Sequence, residues 1–288
     1  MTNLTVPVSV LIAARNDARN LRRCLTSISS WADEVIVIDS QSTDDSLTVA
    51  QEHGARVRQF EYRGGWPKKR QWALDTYPFQ NKWILLLDAD EVLPLALKNE
   101  IASAIHRSDI DGYYIRYEIA FLGHRLRFGD TALWKLSLFR IGLGNFEKRL
   151  EAQDGLMCDM EVHEHVVVNG RTERLKHAVE HVNVNSLHRY IEKHNQYSNW
   201  ESRVHMEGTC HELKPSVFGN QAQRRRFFKQ AAMHSSLCPF ALFLYKYVFR
   251  LGCLDGKAGF YYAAFQAIQV FHVQAKIQEA SLNRAVAL

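Results

Sequence analysis

The amino-acid sequence predicts an α/β fold: a doubly wound, mostly parallel sheet with a helical C-terminal extension. Three observations carry that expectation. Between residues 6 and 106, short apolar runs alternate with helical patterns, the order that a parallel sheet covered by helices requires. The run Trp83-Ile84-Leu85-Leu86-Leu87 is apolar at every position, as a strand buried on both faces must be. From Ser186 onward strand patterns cease and helical ones follow.

Taken in order, Val6 to Ala13 reads as a first buried strand, and Ala18 to Trp31 as an amphipathic helix with Leu21, Leu25 and Ile28 inward. Glu34 to Asp39 is a second strand. Ser42-Thr43-Asp44-Asp45 then supplies N-cap chemistry for a helix through His53. Ala55 to Phe60 is a short third strand, followed by a Gly64-Gly65 turn and a helix from Pro67 to Leu74. The Trp83–Asp88 strand comes next, with Pro94 at the start of a helix over Leu95 to His106. Beyond Asp109 the alternation breaks. Gly112 to Tyr117, Leu136 to Arg140 and Glu161 to Asn169 read as strands. Helices are expected over Ser186–His205, Val217–Ser235, Phe240–Leu251 and Lys257–Ala280, the last three separated by Pro239 and the Gly252/Gly256 region.

Composition bounds the function classes. With 47% hydrophobic and 23% charged residues, the 288-residue chain is globular, not disordered. Net charge is +5, with a sequence pI near 8.9. Between Lys214 and Lys257 eight Lys or Arg face one acid, Asp255. The five cysteines (Cys24, Cys158, Cys210, Cys238, Cys253) form no C-x-x-C pair and read as reduced thiols, which sets aside a disulfide frame and a zinc site. No secretory signal is expected, because Met1 to Thr5 is polar and the next apolar run passes straight into Arg15 and Asp17. The longest apolar stretch, Pro239 to Leu254, is interrupted by Lys246 and Arg250 and is too short to span a bilayer. The expected location is cytoplasmic, peripheral on the inner face of the cytoplasmic membrane. Basic Arg224, Arg225, Arg226, Lys229, Lys246, Arg250 and Lys257, interleaved with aromatics, suit an anionic membrane surface. No nucleic-acid motif is present, so nucleic acid is not an expected partner.

The chemistry-bearing residues gather at strand ends. Asp88 and Asp90, followed by Glu91, concentrate negative charge where open α/β sheets bind ligands. A divalent cation would neutralise them, and hard oxygen ligands suit Mg2+ or Mn2+; the plainer alternative is a strand end facing water. The sequence after the first strand, Ala13-Ala14-Arg15-Asn16-Asp17, lacks the glycine-rich turn of a dinucleotide site, and no Walker loop follows. Asp39 can accept from a base or ribose, or simply cap the loop to Asp44. Lys68, Lys69 and Arg70 suit a diphosphate or a solvated face. His163-Glu164-His165 lacks the spacing of zinc hydrolases, and Glu164 between imidazoles suits a general base. On a strand, the two histidines would share one face and Glu164 the other. Trp134, Tyr113, Tyr114 and Phe128 follow the acidic run and suit stacking on a bound ligand, or filling the core.

Taken together, Val8-Ser-Val-Leu-Ile-Ala-Ala-Arg-Asn-Asp, Val37-Ile-Asp-Ser-Gln-Ser-Thr-Asp-Asp-Ser and Trp83 to Leu87 with Asp-Ala-Asp-Glu resemble the serial motifs of family 2 glycosyltransferases. The resemblance extends to the lipopolysaccharide-core β-1,4-glucosyltransferase branch. It is carried there by Trp66-Pro-Lys-Lys-Arg-Gln-Trp-Ala-Leu, Val162-His-Glu-His-Val, Tyr190-Ile-Glu-Lys-His-Asn-Gln-Tyr and the ending from Tyr245 to Gly259. It runs from about Val8 to Ala280.

The resemblance implies a GT-A fold, a nucleotide-sugar donor, a divalent cation and inversion at the anomeric centre. It implies that Asp39 reads the nucleotide, Asp90 binds the metal, Asp88 faces the donor and Glu164 is the base. Ala13, Arg15 and Asp17 fall in the first donor motif, Asp17 standing where Glu is more usual, and Lys69 or Arg70 meets the diphosphate. Trp134 falls on the acceptor side. His181 or another histidine is left to complete the metal site. The branch implies UDP-glucose and a lipid-linked acceptor, either a lipopolysaccharide inner core or an exopolysaccharide intermediate. The expected division is a catalytic domain over 1–185, with a nucleotide-sugar half 1–110 and an acceptor half 111–185, then a helical region 186–288 that associates with membrane. A sugar-1-phosphate nucleotidyltransferase is disfavoured by its missing glycine-rich loop. A non-catalytic membrane-surface module is disfavoured by the intact acids.

Overall fold

The computed structural model describes residues 5–150, 159, 161, 164–182, 186–207, 216–218, 223–224 and 235–286. Strands and helices alternate in the first part: β1 Val6–Ala14, α1 Ala18–Ile28, β2 Ala32–Asp39, α2 Ser46–Glu52, β3 Arg56–Gln59, α3 Lys69–Thr76, β4 Trp83–Asp88, β5 Glu91–Val92 and α4 Leu95–Ala104. Strands then dominate, as β6 Gly112–Phe121, β7 His124–Arg125, β8 Leu133–Arg140, β9 Gly144–Phe146, β10 Val166–Val168 and β11 Thr172–Val182. The helices α5 Leu187–Glu207, α6 Cys238–Leu244 and α7 Gly256–Val286 complete the chain.

The central sheet runs β3-β2-β1-β4-β8-β6-β11-β5, with β7 paired to β6. Along this path β8 and β5 run against the other six strands, so the sheet is mostly parallel. Its two faces bury separate cores, and the alternation of β side chains divides them. Val8, Val10 and Ile12 of β1 and Leu85 and Leu87 of β4 pack with Leu21, Leu25, Leu97 and Ile101 of α1 and α4. Leu11, Ile84 and Leu86 point the other way, onto Ala73 of α3 and Phe146 and Val166 of β9 and β10. The buried run from Trp83 is therefore covered on both sides, as its composition requires.

Several elements depart from expectation. The strand expected over Glu161 to Asn169 is reduced to β10, which pairs with β9 in a separate two-stranded ribbon. The long strand β11 has no counterpart in the sequence reading. Its charges at Glu173, Arg174, Lys176 and Glu180 break any apolar alternation, because part of it is exposed. The helix expected from Pro67 begins at Lys69, since Lys68 keeps an extended backbone. The helix expected over Phe240 to Leu251 is α6, which then widens into a π-turn at Tyr245–Phe249 and a 3-10 turn at Gly252–Asp255. Gly252 and Gly259 make that corner: a Cβ on Gly259 would collide with the Gly252 carbonyl, and one on Gly252 would sit 2.7 Å from the Lys246 carbonyl. Most of the helix expected over Val217 to Ser235, with Arg225, Arg226, Phe227, Phe228 and Lys229, lies outside the described residues, as do His163, Cys158 and Cys210. Cys24, Cys238 and Cys253 are free thiols.

Candidate active site

The parallel register sets one row of residues along the carboxyl edge of the sheet. Ala13 lies opposite Asp88 on β4, and Ala14 opposite Asp39 on β2. Beyond that edge opens a cavity of about 700 Å³, walled by β4, β8, β10, β11 and the first turns of α5. Arg70, Asp88, Asp90, Trp134 and Glu164 all line it. Ala13, Arg15, Asp17, Asp39 and Lys69 do not; they stand beside it along the sheet edge and in the α3 wall.

The side chains of Asp17, Asp39 and Lys69 are engaged internally. Asp39 is fully buried and behaves as a loop cap: one oxygen accepts from the Ser42 hydroxyl, the other from the Ser42 N–H at 2.9 Å and from Gln59 Nε2 at 3.1 Å. Asp17 accepts from Asn20 Nδ2 at 2.9 Å, and its N–H donates to Ser46 Oγ at 3.0 Å. Arg15 is exposed, and its carbonyl accepts from Arg189 of α5 at 2.9 Å.

The solvated-face reading of Lys68, Lys69 and Arg70 is overturned. All three are buried, and each faces a different acid. Lys68 Nζ lies 2.9 Å from Glu164 Oε1, Lys69 Nζ 3.2 Å from Asp159 Oδ2, and Arg70 pairs with Asp88. Lys69 Nζ also donates to the Ala14 carbonyl at 3.0 Å. The start of α3 is thus a cationic plug serving three acids, two of them on the segment before β10. Its N-terminal N–H groups are capped by Glu161, which accepts from Arg70 N at 3.2 Å and Gln71 N at 2.9 Å. Burial pushes the Glu161 carboxyl up, and the Arg70 charge offsets this only in part.

At the acidic end, Asp88 faces Lys135 Nζ at 3.2 Å, and its N–H donates to Glu91 Oε2 at 2.8 Å. Asp90 is buried, with His181 Nδ1 3.5 Å from its Oδ1. Burial pushes the Asp90 carboxyl up, but the His181, Lys193 and Lys135 charges outweigh it and hold it below the usual carboxylate range. Burial pulls His181 down, and Asp90 and Glu91 more than reverse this, leaving it above the ordinary imidazole value. His181 reaches this place because β11 pairs it opposite Glu91 of β5. With β11 unforeseen, the sequence alone could not select it among the histidines. Among the described residues no group of three or more His, Cys, Asp and Glu is gathered as a metal set.

At the other end, Glu164 has a fully buried side chain and, with His165, precedes β10 outside any strand, so the strand-face reading does not hold for that pair. Its Oε2 has no hydrogen-bond partner among the described residues. Lys68 also sits over the Trp200 ring of α5, 5.0 Å from its centroid, with the Arg149 guanidinium 5.1 Å from the same ring. Trp200 had no motif to mark it; helical spacing from Tyr190 and Tyr197 was its only signal. Trp134 is half-buried on the cavity wall under the Arg174 guanidinium, 4.8 Å from its centroid. Of the other aromatics, Tyr114 lines the cavity, while Tyr113 is core, donating to the Ala104 carbonyl at 3.0 Å.

The sequence model described as Glycosyl transferase family 2 matches residues 9–167, just over half of the chain and all of the strand-end acids. The chain belongs to this family. It is 30% identical over 203 residues to an uncharacterized glycosyltransferase of Rickettsia felis, covering 68% of this chain and 69% of that one. It is 27% identical over 284 residues to the lipopolysaccharide core biosynthesis glycosyltransferase LpsC of Rhizobium meliloti, covering 95% and 93% of the two chains. Among solved structures, a mannosyltransferase of Pyrobaculum calidifontis in complex with GDP-Man and Mn2+ overlaps 96% of this chain and 88% of its own, with a TM-score of 0.45 and 14% identity. As a member of this family the chain is a glycosyltransferase with the GT-A type of doubly wound sheet, to which a helical C-terminal part is added.

Proposed function

We propose that this glycosyltransferase inverts the anomeric centre of a nucleotide sugar, UDP-glucose by its motifs, and transfers the sugar to a lipid-linked glycan of the lipopolysaccharide-core kind. The observation that carries the reading is Glu164. It lines the cavity with one oxygen held by Lys68 and the other left without a partner among the described residues. A buried carboxylate stays charged only when a cation or hydrogen bonds support it, and Lys68 supplies that cation. Glu164 Oε2 takes the proton of the acceptor hydroxyl as that oxygen forms its bond to the anomeric carbon. The bond from this carbon to the diphosphate oxygen breaks, and the electron pair leaves with the nucleoside diphosphate. One base suffices, because inversion is a single displacement.

The opposite end suits the leaving group. Asp90 and His181 offer a carboxylate and an imidazole, with Asp88 adjacent, and two or three protein ligands fit a cation that shares phosphate oxygens with its substrate. When bound there, Mg2+ or Mn2+ would stabilise charge on the departing diphosphate. Arg70 and Lys193 bring further positive charge to the same end. In this reading Asp39, Ala13, Arg15 and Asp17 shape the nucleotide side of the sheet edge, and Trp134 stacks on an acceptor sugar.

Residues 1–185 form the catalytic part, and the 186–288 helices cap it, since Tyr190, Lys193, His194 and Tyr197 of α5 line the cavity. LpsC carries lipopolysaccharide core biosynthesis in its name, and its match along nearly the whole chain supports an acceptor of that class. Such an acceptor places the enzyme on the anionic inner face of the cytoplasmic membrane. No helix among the described residues is long and apolar enough to cross one. The test is nucleoside diphosphate release from a panel of nucleotide sugars, with and without chelator, in the presence of lipopolysaccharide-core or polysaccharide-intermediate acceptors. Turnover with UDP-glucose and core acceptor, abolished by chelator and restored by Mn2+, is expected. Turnover untouched by chelator would remove the metal, and preference for another donor would replace the sugar.

A further inference from the structure

We propose that the corner joining α6 to α7 is a lipid-insertion face, fixed to the acceptor wall of the cavity so that docking presents the active site to membrane-held glycans. It deepens the reading above and rests on it for the acceptor.

The corner is an exposed apolar surface of unusual density. At the corner Phe249 and Leu254 are 75% and 61% exposed, with Leu244, Val248 and Leu251 also exposed, and Leu237 and Phe240, 68% and 71% exposed, extend the apolar surface along α6. Isolated exposed hydrophobics are ordinary, but a run of them along one helix and the turn that follows signals contact with something apolar. The same helices do pack together, through Phe243, Tyr247 and Phe260, whose rings lie 5.3 to 5.7 Å apart. The outward residues are those this packing leaves over.

The backbone is arranged to hold them out. The π-turn at Tyr245–Phe249 shifts the side-chain register, and Leu251 then takes a left-handed conformation, φ 60°. Leu122, at the tip of the β6–β7 hairpin, is likewise exposed with φ 49°. It follows Phe121, which packs on Ala258, Tyr262 and Phe265 of α7, so the two leucines stand at the same end of α7. A branched side chain in this region is strained, and at Leu251 the strained residue sits in the turn itself, with its N–H donating to the Val248 carbonyl and its carbonyl accepting from the Leu254 N–H.

Charge selects the occupant. Arg127, Arg250 and Lys257 are exposed around the corner, while Asp255 is occupied by the N–H groups of Arg127 and Phe128, and Asp130 faces Arg250. A two-fold interface with a second copy would set these cations against themselves. An anionic leaflet complements them, and aromatic and leucine side chains flanked by Lys and Arg are what an interfacial segment presents.

The corner also grips the loop that leads to the cavity. Gly129 N–H donates to the Arg250 carbonyl at 2.8 Å, Lys246 Nζ donates to the Gly129 carbonyl at 3.3 Å, and Phe128 N–H donates to Asp255 at 2.9 Å. That loop continues through Thr131 and Ala132 into Leu133 and Trp134 of the cavity wall. Two residues of extended chain, about 7 Å, separate Ala132 from Trp134.

The experiment is flotation of the full chain with vesicles of neutral phosphatidylcholine, or of phosphatidylcholine with phosphatidylglycerol, beside calorimetric UDP binding in Mn2+. The wild type is expected to float with anionic vesicles and to release as salt rises. Phe240→Ser with Phe249→Ser should weaken binding by on the order of tenfold or more. Arg250→Gln with Lys257→Gln should flatten the salt dependence. UDP binding should be unchanged in both, which keeps the donor reading separate. Wild-type protein left in solution with anionic vesicles would overturn the inference, and equal flotation of the double-Ser variant would move the face elsewhere on the chain. A wild-type dimer that the double-Ser variant converts to monomer, without vesicle binding, would reassign the corner to self-association.

Discussion

The two ends of the cavity handle buried charge differently. At the Asp88–Asp90 end, three acids (Asp88, Asp90 and Glu91) share Lys135 and His181, with Arg70 and Lys193 nearby, and Asp88 is partly open to the cavity. Charge there is shared among many partners, so the site can accept a further cation or anion with little rearrangement. At the Glu164 end one acid meets one lysine, both side chains almost completely buried, with Trp200 closing over the lysine. The first arrangement suits binding, which must be reversible. The second suits a single proton transfer, which needs one group held in one place.

The largest expected effects separate those roles. Asp90→Asn keeps the shape at the acidic end and removes the charge, so turnover should fall by roughly 100-fold or more, about 3 kcal/mol of lost electrostatic stabilisation. UDP binding in Mn2+ should weaken with it, and near-wild-type binding by the Asn variant would remove Asp90 from the metal. Glu164→Gln should lose turnover on a similar scale while UDP binding stays intact, because deprotonation matters only in the transition state. If both variants lose UDP affinity alike, the ends do not divide the labour as described.

Next in size is the ion pair itself. Lys68→Met leaves Glu164 charged and unpaired in the interior, which should destabilise the fold by about 3–5 kcal/mol. Adding Glu164→Gln should recover most of that stability and none of the turnover. Denaturant melts of the two singles and the double give the coupling directly. Additive losses would show that Lys68 acts through Trp200 and not through Glu164.

How legible each end was in the sequence follows from the same contrast. Asp88 and Asp90 were visible because a fully apolar strand announces where it ends, and the sheet edge follows from the α/β class. His181 stood only as one candidate among the histidines, because β11 is polar, partly exposed and distant in sequence, and only its pairing with β5 brings the histidine to Asp90. Glu164 stood out as a carboxylate between histidines, but its partner did not. A run of three cations reads as surface by default. Nothing local says that each will meet its own acid, as Arg70 meets Asp88 18 residues on and Lys68 meets Glu164 96 residues on. The central sheet obeyed its periodicity, whereas the α6–α7 corner broke a helical pattern because two glycines permit a close turn.

A smaller effect is expected on the cavity wall between the ends. Trp134 is half-buried and stacked under Arg174, so its loss removes cavity-wall area without opening the core. Trp134→Ala should raise the acceptor KM about tenfold, as loss of one aromatic contact of roughly 1.5 kcal/mol would, with little change in Tm. A large fall in Tm with unchanged acceptor KM would assign the ring to the core.

The smallest effect tests whether Glu161, which caps α3 between the two ends, carries buried charge. Burial raises its folded-state pKa above the ordinary carboxylate value, so the folded protein holds this proton more tightly than the unfolded chain. For a carboxyl shifted upward, the native state is favoured below the unfolded pKa, and that advantage is lost as pH rises through the folded pKa. Gln at the same position does not titrate and keeps an acceptor for the Gln71 N–H. The Tm of wild type minus that of Glu161→Gln should therefore decrease as pH rises from 4 to about 8, whatever its starting sign. A difference that grows with pH would mean that Arg70 and the two helix N–H groups outweigh burial, making Glu161 a supported anion at the start of α3.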